Sequence, residues 1–172
     1  MIDFDVIDEL IYDWVSTFSG ITTIWADDNS PKPDLPYISL RKGTVTPIGH
    51  GYISVPTSSG ISKISGDRDM IVNFQAYGNN AFGKLENLWH VRLDPGSQEL
   101  LYIGGLSLIE LFALTNLTGL NDTLFEGRAQ MDLLFRFVSQ RTNIDVGLIE
   151  TVEIEGNLKE PDDTFNFNVD LT

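Results

Sequence analysis

SGDRDMIVNFQAYGNNAFGKLENLWHVRLDPG, residues Ser65 to Gly96, carries the clearest secondary-structure pattern in this chain. Apolar side chains alternate with mixed ones from Met70 to Tyr77, which predicts a strand with one buried face. Gly78-Asn79-Asn80 ends this alternation with residues that tolerate a tight corner. Apolar residues at helical spacing follow from Ala81 to Arg92, and Asp94-Pro95-Gly96 ends that helix. A strand that leads directly into an amphipathic helix supplies both layers of a two-layer core.

The composition is that of an acidic protein with an ordinary content of apolar residues. The 172 residues fit one domain, and 42% of them are hydrophobic, which suffices for a buried core. The formal net charge of −14 repels nucleic acid and anionic membranes. This charge argues against unaided binding to either of them. It fits a protein that seeks soluble partners, or one that lets a polyanion pass without adhering.

The sequence contains no cysteine, which excludes disulfides, thiolate zinc sites and cysteine nucleophiles. Its N-terminal stretch, Met1–Asp13, is acidic and lacks the charged-then-apolar layout of a signal peptide. No run of the sequence reaches the roughly 18 apolar residues of a membrane span. We therefore expect a soluble protein made in a reducing cytoplasm.

The N-terminal third predicts a helix, a short strand, a loop and a second strand. Apolar residues recur at every fourth position from Asp5 to Phe18, which indicates an amphipathic helix. Ile21–Ala26 is a short β-prone run, and the proline-rich segment Asp27–Pro36 predicts a loop. Tyr37–Lys42 then resumes a strand pattern.

Gly43–Ser65 is rich in glycine, serine and threonine, with only short β-prone islands. Because it lies between two predicted strands, we interpret it as an extended hairpin arm with a mobile tip. A connection this long within a domain is usually functional or flexible. We favour a functional contact, with a plain flexible loop as the alternative.

The C-terminal half predicts further strands. Ser97–Ile103 fits one or two helical turns, Ser107–Leu117 fits a strand, and Thr118–Thr123 fits a turn. Alternation is cleanest in Gln130–Ser139, and Val146–Glu155 is predicted as a last strand. Apolar residues also alternate in the acidic tail, which could add an edge strand in cis or to a neighbouring molecule; they are Phe165, Phe167 and Val169.

Together these patterns predict an α+β fold. We expect a mixed, mainly antiparallel sheet of five or six strands, with two main helices packed on it and a long hairpin arm. Residues 1–156 are predicted to form a single domain with its arm at residues 43–65. Residues 157–172 are predicted to form an acidic C-terminal tail.

The sequence offers little that resembles a catalytic site. Its two histidines, His50 and His90, have no acid or nucleophile at a spacing that suggests a triad. Asp27, Asp28 and Asp34 could hold a cation, but they lack the spacing and the glycine of an EF-hand loop. No phosphate-binding glycine motif follows a predicted strand. We therefore predict no catalytic residues, no metal site and no cofactor.

Two arginines are candidates for contacts with a partner. Arg68 and Arg128 each begin a strong strand beside acidic residues, Asp67 for the first and Glu126 for the second. Each could form a local ion pair at the sheet edge, which contributes little when exposed. Each could equally form a bidentate contact with a carboxylate across a subunit interface.

We add two residues of the arm to these interface candidates. His50 and Tyr52 lie in the segment that we interpret as suited to docking.

Several stretches, taken in order, resemble the neck or tail terminator proteins of tailed bacteriophages, of the neck terminator type. Each stretch is weakly specific, so the resemblance lies in their order and spacing between Ile2 and Gly156. The arm and the tail lie outside it. The stretches are Ile24-Trp25-Ala26, Asn29-Ser30-Pro31-Lys32-Pro33, Leu35-Pro36-Tyr37, Gly66-Asp67-Arg68, Gln75-Ala76-Tyr77-Gly78, Phe125 to Leu133, and Gly147 to Val152.

The resemblance implies a structural virion protein of the neck or tail junction and not an enzyme. Such proteins look like α+β subunits that assemble into a sixfold ring. The ring caps the tail tube, stops its polymerisation, joins it to the head-completion or neck protein, and lets DNA pass. A ring of acidic subunits would repel DNA from its bore, which favours sliding.

Other functions are compatible with the same sequence. Another head-to-tail assembly protein, such as a head-completion or tail tube protein, could share a similar sheet. A small metal-dependent hydrolase that uses Asp27, Asp28 and Asp34 is a rival from another class. A generic binding module is a further alternative.

Overall fold

The computed structural model describes residues 4–28, 31–121, 124–147, 151–157 and 164–170. The helices of these ranges are α1 (Phe4–Ser19), α2 (Ala81–Val91) and α3 (Pro95–Ile103), and none of them is long and apolar enough to cross a membrane. The strands are β1 (Thr22–Trp25), β2 (Tyr37–Ile53), β3 (Ile61–Tyr77), β4 (Leu106–Asn116), β5 (Gly119–Asn121), β6 (Leu124–Glu126), β7 (Arg128–Asp145), β8 (Thr151–Asn157) and β9 (Thr164–Asp170).

Five strands form the main sheet, in the order β1-β2-β3-β7-β4. β1 pairs in parallel with β2, whereas β4 pairs antiparallel with β7. β3 and β7 also run in opposite directions, because Asp69 of β3 contacts Arg136 while Asn73 contacts Asp132. The sheet is therefore mixed and mainly antiparallel, which confirms the predicted α+β fold.

The chain divides into two compact units. The first comprises Met1–Tyr52 and Ser65–Gln140, and it contains the three helices and most of the main sheet. The second comprises Ile53–Ile64 and Arg141–Thr172. Within the second unit, the Val146 N–H donates to the Gly60 carbonyl oxygen at 3.0 Å. This unit also contains an antiparallel ribbon formed by β8 and β9.

The three helices pack against one face of the main sheet. Trp14 of α1 is fully buried and lies edge-on to Phe74 and Phe135, with ring centroids 6.4 and 6.2 Å away. Its indole N–H donates to Ser97 Oγ of α3 at 2.7 Å, so two helices and the sheet meet at this side chain. The buried residues of β3 and β7 in the same core are Met70, Val72, Phe74, Ala76, Ala129, Met131, Leu133, Phe135 and Phe137.

The predicted strand-to-helix unit is present. β3 ends at Tyr77, and Asn80 turns the chain into α2 with a left-handed φ of 55° but without a side-chain capping bond. Asp94 follows α2 and caps a new helix, because its carboxylate accepts from the N–H groups of Gly96 at 2.9 Å and Ser97 at 3.2 Å. The predicted helix stop is thus also the start of α3, a third helix beside the two expected main ones.

The arm is more regular than the sequence suggests. β2 continues to Ile53 and β3 begins at Ile61, which confirms the predicted hairpin arm and gives it longer strands than the short β-prone islands of the sequence. Gly43 lies against Ile71 and Gly51 against Ser65, which is the geometry of an antiparallel hairpin. Pairing across the hairpin supplies the backbone hydrogen bonds that local propensity does not predict.

The last predicted strands are partly correct. Ser107–Leu117 corresponds to β4, but the turn expected at Thr118–Thr123 contains β5. The strand expected at Val146–Glu155 is wrong at its start, because β7 extends to Asp145 and the next strand begins at Thr151; residues 148–150 lie outside the described residues. β9 contains the alternating Phe165, Phe167 and Val169, and it pairs with β8 of the same chain.

Ser97→Ala should lower the free energy of unfolding by about 1–3 kcal/mol, because it leaves the buried Trp14 N–H without its acceptor. Urea denaturation of the variant and the native protein measures this difference. Ser107→Ala is the control, because Ser107 is exposed on β4 and its replacement should change stability by less than about 0.5 kcal/mol. Equal effects of the two substitutions would contradict the structural role of the Trp14–Ser97 bond.

Candidate functional site

The side of the main sheet opposite the helices carries polar side chains, which we call the open face. Strand alternation places them there, since the residues between the buried positions of β3 and β7 point away from the core. These residues are half-buried: Asn73, Gln75 and Tyr77 on β3, and Arg128, Gln130, Asp132 and Arg136 on β7. The open face is thus built by the same two strands that build the core.

A chain of hydrogen bonds crosses the open face. Arg128 Nη2 donates to Gln75 Oε1 at 2.6 Å, and the Tyr77 hydroxyl donates to the same oxygen at 2.8 Å. Gln75 Nε2 donates to Asn73 Oδ1 at 3.0 Å, and Asn73 Nδ2 donates to Asp132 Oδ1 at 2.5 Å. Each side chain is held by its neighbour, so the surface is ordered before any partner arrives.

An ion pair lies farther along the same two strands. Arg136 donates from Nε and Nη2 to the two carboxylate oxygens of Asp69, at 2.8 and 3.0 Å. This is the bidentate geometry that suits a guanidinium and a carboxylate. Hydrogen bonding to Asp69 raises the pKa of Arg136 above its ordinary value. The pair therefore fixes the orientation of both side chains across the two strands.

A groove of about 430 Å³ lies at the β1–β2 side of the open face. Tyr37 and Tyr77 stack there with ring centroids 4.6 Å apart, and Lys32 Nζ lies 5.8 and 5.9 Å from the two centroids. Burial raises the pKa of the Tyr37 hydroxyl, although Lys32 acts in the opposite direction. Arg41 and Arg128 also line this groove. Its walls thus combine aromatic rings with three cationic side chains.

Arg128, a predicted interface candidate, lies in this groove. Its guanidinium carbon is 5.3 Å from the Tyr77 ring centroid, and its buried Nε has no hydrogen-bond partner. Its neighbour Glu126 forms a salt bridge with Lys32 at 3.5 Å. Arg128 therefore lines the groove, and Glu126 lies at its rim.

Of the other predicted candidates, His50 and Tyr52 lie in the arm, and Asp67 and Arg68 follow it on β3. Arg68 Nη1 donates to the backbone oxygen of its neighbour Asp67 at 2.9 Å, which is a local contact. Exposed His50 and Tyr52 flank Gly51, which lies close to Gly66 on the neighbouring strand. The six candidates thus form two sets, one at the groove and one in the arm and the adjoining part of β3.

Sequence reasoning missed the partners of Arg128. Gln75 and Asn73 are separated from their β7 partners by 53 and 59 residues, so no local motif reveals the network. The sequence feature that could have indicated the network was the row of polar residues that alternates with the apolar residues of β3. Among the possible cation ligands, Asp27 forms an exposed ion pair with Arg41 at 3.2 Å. No cluster of metal-binding side chains occurs within the described ranges.

Comparison with known proteins gives one family. The family model described as phage neck terminator protein matches residues 5–162 of this chain. None of the curated proteins matches the chain. The matched range includes the helices, the main sheet and the open face, and it covers most of the 172 residues. The chain therefore belongs to the phage neck terminator family, whose members are structural proteins of the virion that join the tail to the head.

Proposed function

We propose that this protein forms a closed sixfold ring at the end of the phage tail tube. The ring stops tube growth, contacts the head-completion or neck protein on its other side, and lets DNA pass through its centre. The protein is made in the cytoplasm of the host bacterium before it joins the virion. The match to the neck terminator family over residues 5–162 is the observation that carries this proposal.

The open face supports an assembly role. Subunit interfaces are rich in aromatic residues and arginine, and the groove contains Tyr37, Tyr77, Arg41 and Arg128. The hydrogen-bond network holds these groups in place, which lowers the entropic cost of binding a partner. A preorganised polar surface beside a helix-covered core suits a subunit that docks repeatedly onto copies and neighbours.

The arm supports contact with a neighbouring protein. The end of β2, up to Ile53, and the start of β3, from Ile61, build it, so its backbone is held by pairing between two strands. Apolar side chains remain exposed toward its end: Tyr52 is 62% exposed and Val55 is 81% exposed. Tyrosine is a frequent anchor of protein contacts. Our interface candidates are His50 and Tyr52 in the arm, with Asp67 and Arg68 just after it on β3.

The charge supports passage of DNA through the ring. Each copy contributes a net charge of −14, and a ring of such subunits repels the phosphate backbone. Repulsion keeps DNA from adhering to the bore during passage. A bore lined with basic residues would contradict this part of the proposal.

Purified protein mixed with tail tubes should form closed rings at the tube ends and should stop tube elongation. Light scattering and negative-stain microscopy of the protein alone, of tubes alone and of the mixture measure both effects. Unlimited polymerisation would indicate a tube-forming protein instead, and a monomer that ignores tubes would contradict the terminator function.

Arg68→Ala and Arg128→Ala should each weaken assembly about tenfold or more, because arginines that become buried on association are frequent interface anchors. Each should change the free energy of unfolding by only about 1 kcal/mol, the value of a typical hydrogen bond. The fraction of protein bound to tube ends and the urea midpoint measure the two effects.

Lys84→Ala is the control, because Lys84 lies on α2 at the helical side of the sheet. Loss of the fold in either arginine variant, with unchanged association of the remaining folded molecules, would count against an interface role.

A further inference from the structure

We propose that the open face of one copy binds helix α1 of the next copy in the ring. The carboxylates of Glu9 and Asp13 dock against Lys32, Arg41 and Arg128 of the neighbouring groove. This inference rests on the ring proposed above, and it identifies which two surfaces of the subunit meet.

Helix α1 presents a carboxylate stripe on its outer side. It contains no lysine or arginine, and three of its four acidic residues, Asp5, Glu9 and Asp13, recur every four residues. The fourth, Asp8, pairs with Lys42. This spacing places them on one helix face, with about 6 Å between successive members. Glu9 and Asp13 are exposed and form no salt bridge within the part of the chain that the structure describes.

The same helix face carries exposed apolar side chains. Val6 is 57% exposed and Tyr12 is 38% exposed, and both lie beside the stripe. The inner side of α1 is already occupied, since Ile7, Ile11 and Trp14 are buried in the core. A mixture of carboxylates with an aromatic and an aliphatic residue is typical of a protein interface.

The groove contains cationic side chains that can donate hydrogen bonds to these carboxylates. Lys32 and Arg41 have local partners, Glu126 and Asp27, but their side chains are 62% and 64% exposed. Such exposed pairs are weak, and ammonium and guanidinium groups keep further N–H donors. Arg128 forms no salt bridge among the described residues, and its Nε lacks an acceptor. The groove also includes one acidic residue, Asp28.

The two surfaces lie on opposite sides of the subunit. Trp14 of α1 packs on Phe74 and Phe135, whereas Gln75 and Arg128 point to the other face of the same strands. A ring requires a head-to-tail contact between two different surfaces of one subunit. Surfaces on opposite sides satisfy this requirement, because the helix of each copy can bind one neighbour while its groove binds the other neighbour.

Pairing of sheet edges is a less suitable way to join copies. The edge strand β4 has two register shifts in its pairing with β7, one between Leu108 and Glu110 and one between Leu111 and Ala113. Irregularities of this kind obstruct the addition of another strand. The opposite edge, β1, has only four residues. Face-to-helix docking also covers the groove cations, which keeps them away from passing DNA.

Charge reversal tests this pairing. One variant carries Glu9→Lys and Asp13→Lys, and the other carries Lys32→Glu and Arg41→Glu. Alone, each variant places like charges opposite each other, and the fraction of closed rings at tube ends should fall about tenfold or more. An equimolar mixture should restore rings, because each basic helix then meets an acidic groove and each acidic helix meets a basic groove.

A control matched to the helix variant carries Glu86→Lys and Glu99→Lys, which change the net charge by the same amount on exposed positions of α2 and α3. This control should form rings as the native protein does. Circular dichroism and melting curves establish that all variants fold. If a reversal variant fails to fold, Glu9→Gln with Asp13→Asn replaces it, and this variant should lose rings and become less sensitive to salt.

Native-level rings in either reversal variant would overturn the inference, as would loss of rings without rescue in the mixture. In both cases the native protein still forms rings, so the proposed function is unaffected. Failure of the native protein itself to form rings would overturn the function and the inference together.

Discussion

The alternation of side chains along β3 and β7 is the constraint on which the rest of the structure depends. On one face of these strands, buried apolar residues pack against three helices, and the Trp14 ring lies edge-on to the rings of Phe74 and Phe135. On the other face, the intervening polar residues form a continuous hydrogen-bond network. A shift of one residue in either strand would exchange the two faces. Core and open face are therefore fixed by the same register.

This arrangement connects stability with assembly. Burial of one face stabilises the subunit, and the rigid sheet then holds the polar groups of the other face at fixed positions. Arg128 illustrates the link, since its strand neighbour Ala129 is buried in the core while its own guanidinium contacts Gln75 and Tyr77. A neck protein must keep its shape while other proteins dock on it, and a surface ordered by its own core meets this need.

The sequence predicts the elements whose pattern is local. The alternation of Met70–Tyr77 and the helix that follows it are visible in the sequence, as is the α+β class. The hairpin arm was predicted but the length of its strands was not, because its glycines and threonines are held in strands by pairing across the hairpin rather than by their own propensity. The network was missed for a related reason. Arg128 stands out in the sequence, but Gln75 is its partner only because β3 and β7 are neighbours in the sheet.

Electron cryomicroscopy of the assembled neck would test the central claim most directly. We predict a closed ring in which the open face of each copy is covered by the neighbouring copy and Arg128 lies within a protein interface. A ring in which the open faces line the bore, with Lys32, Arg41 and Arg128 directed at the DNA path, would contradict both the assignment of the open face and the role of charge.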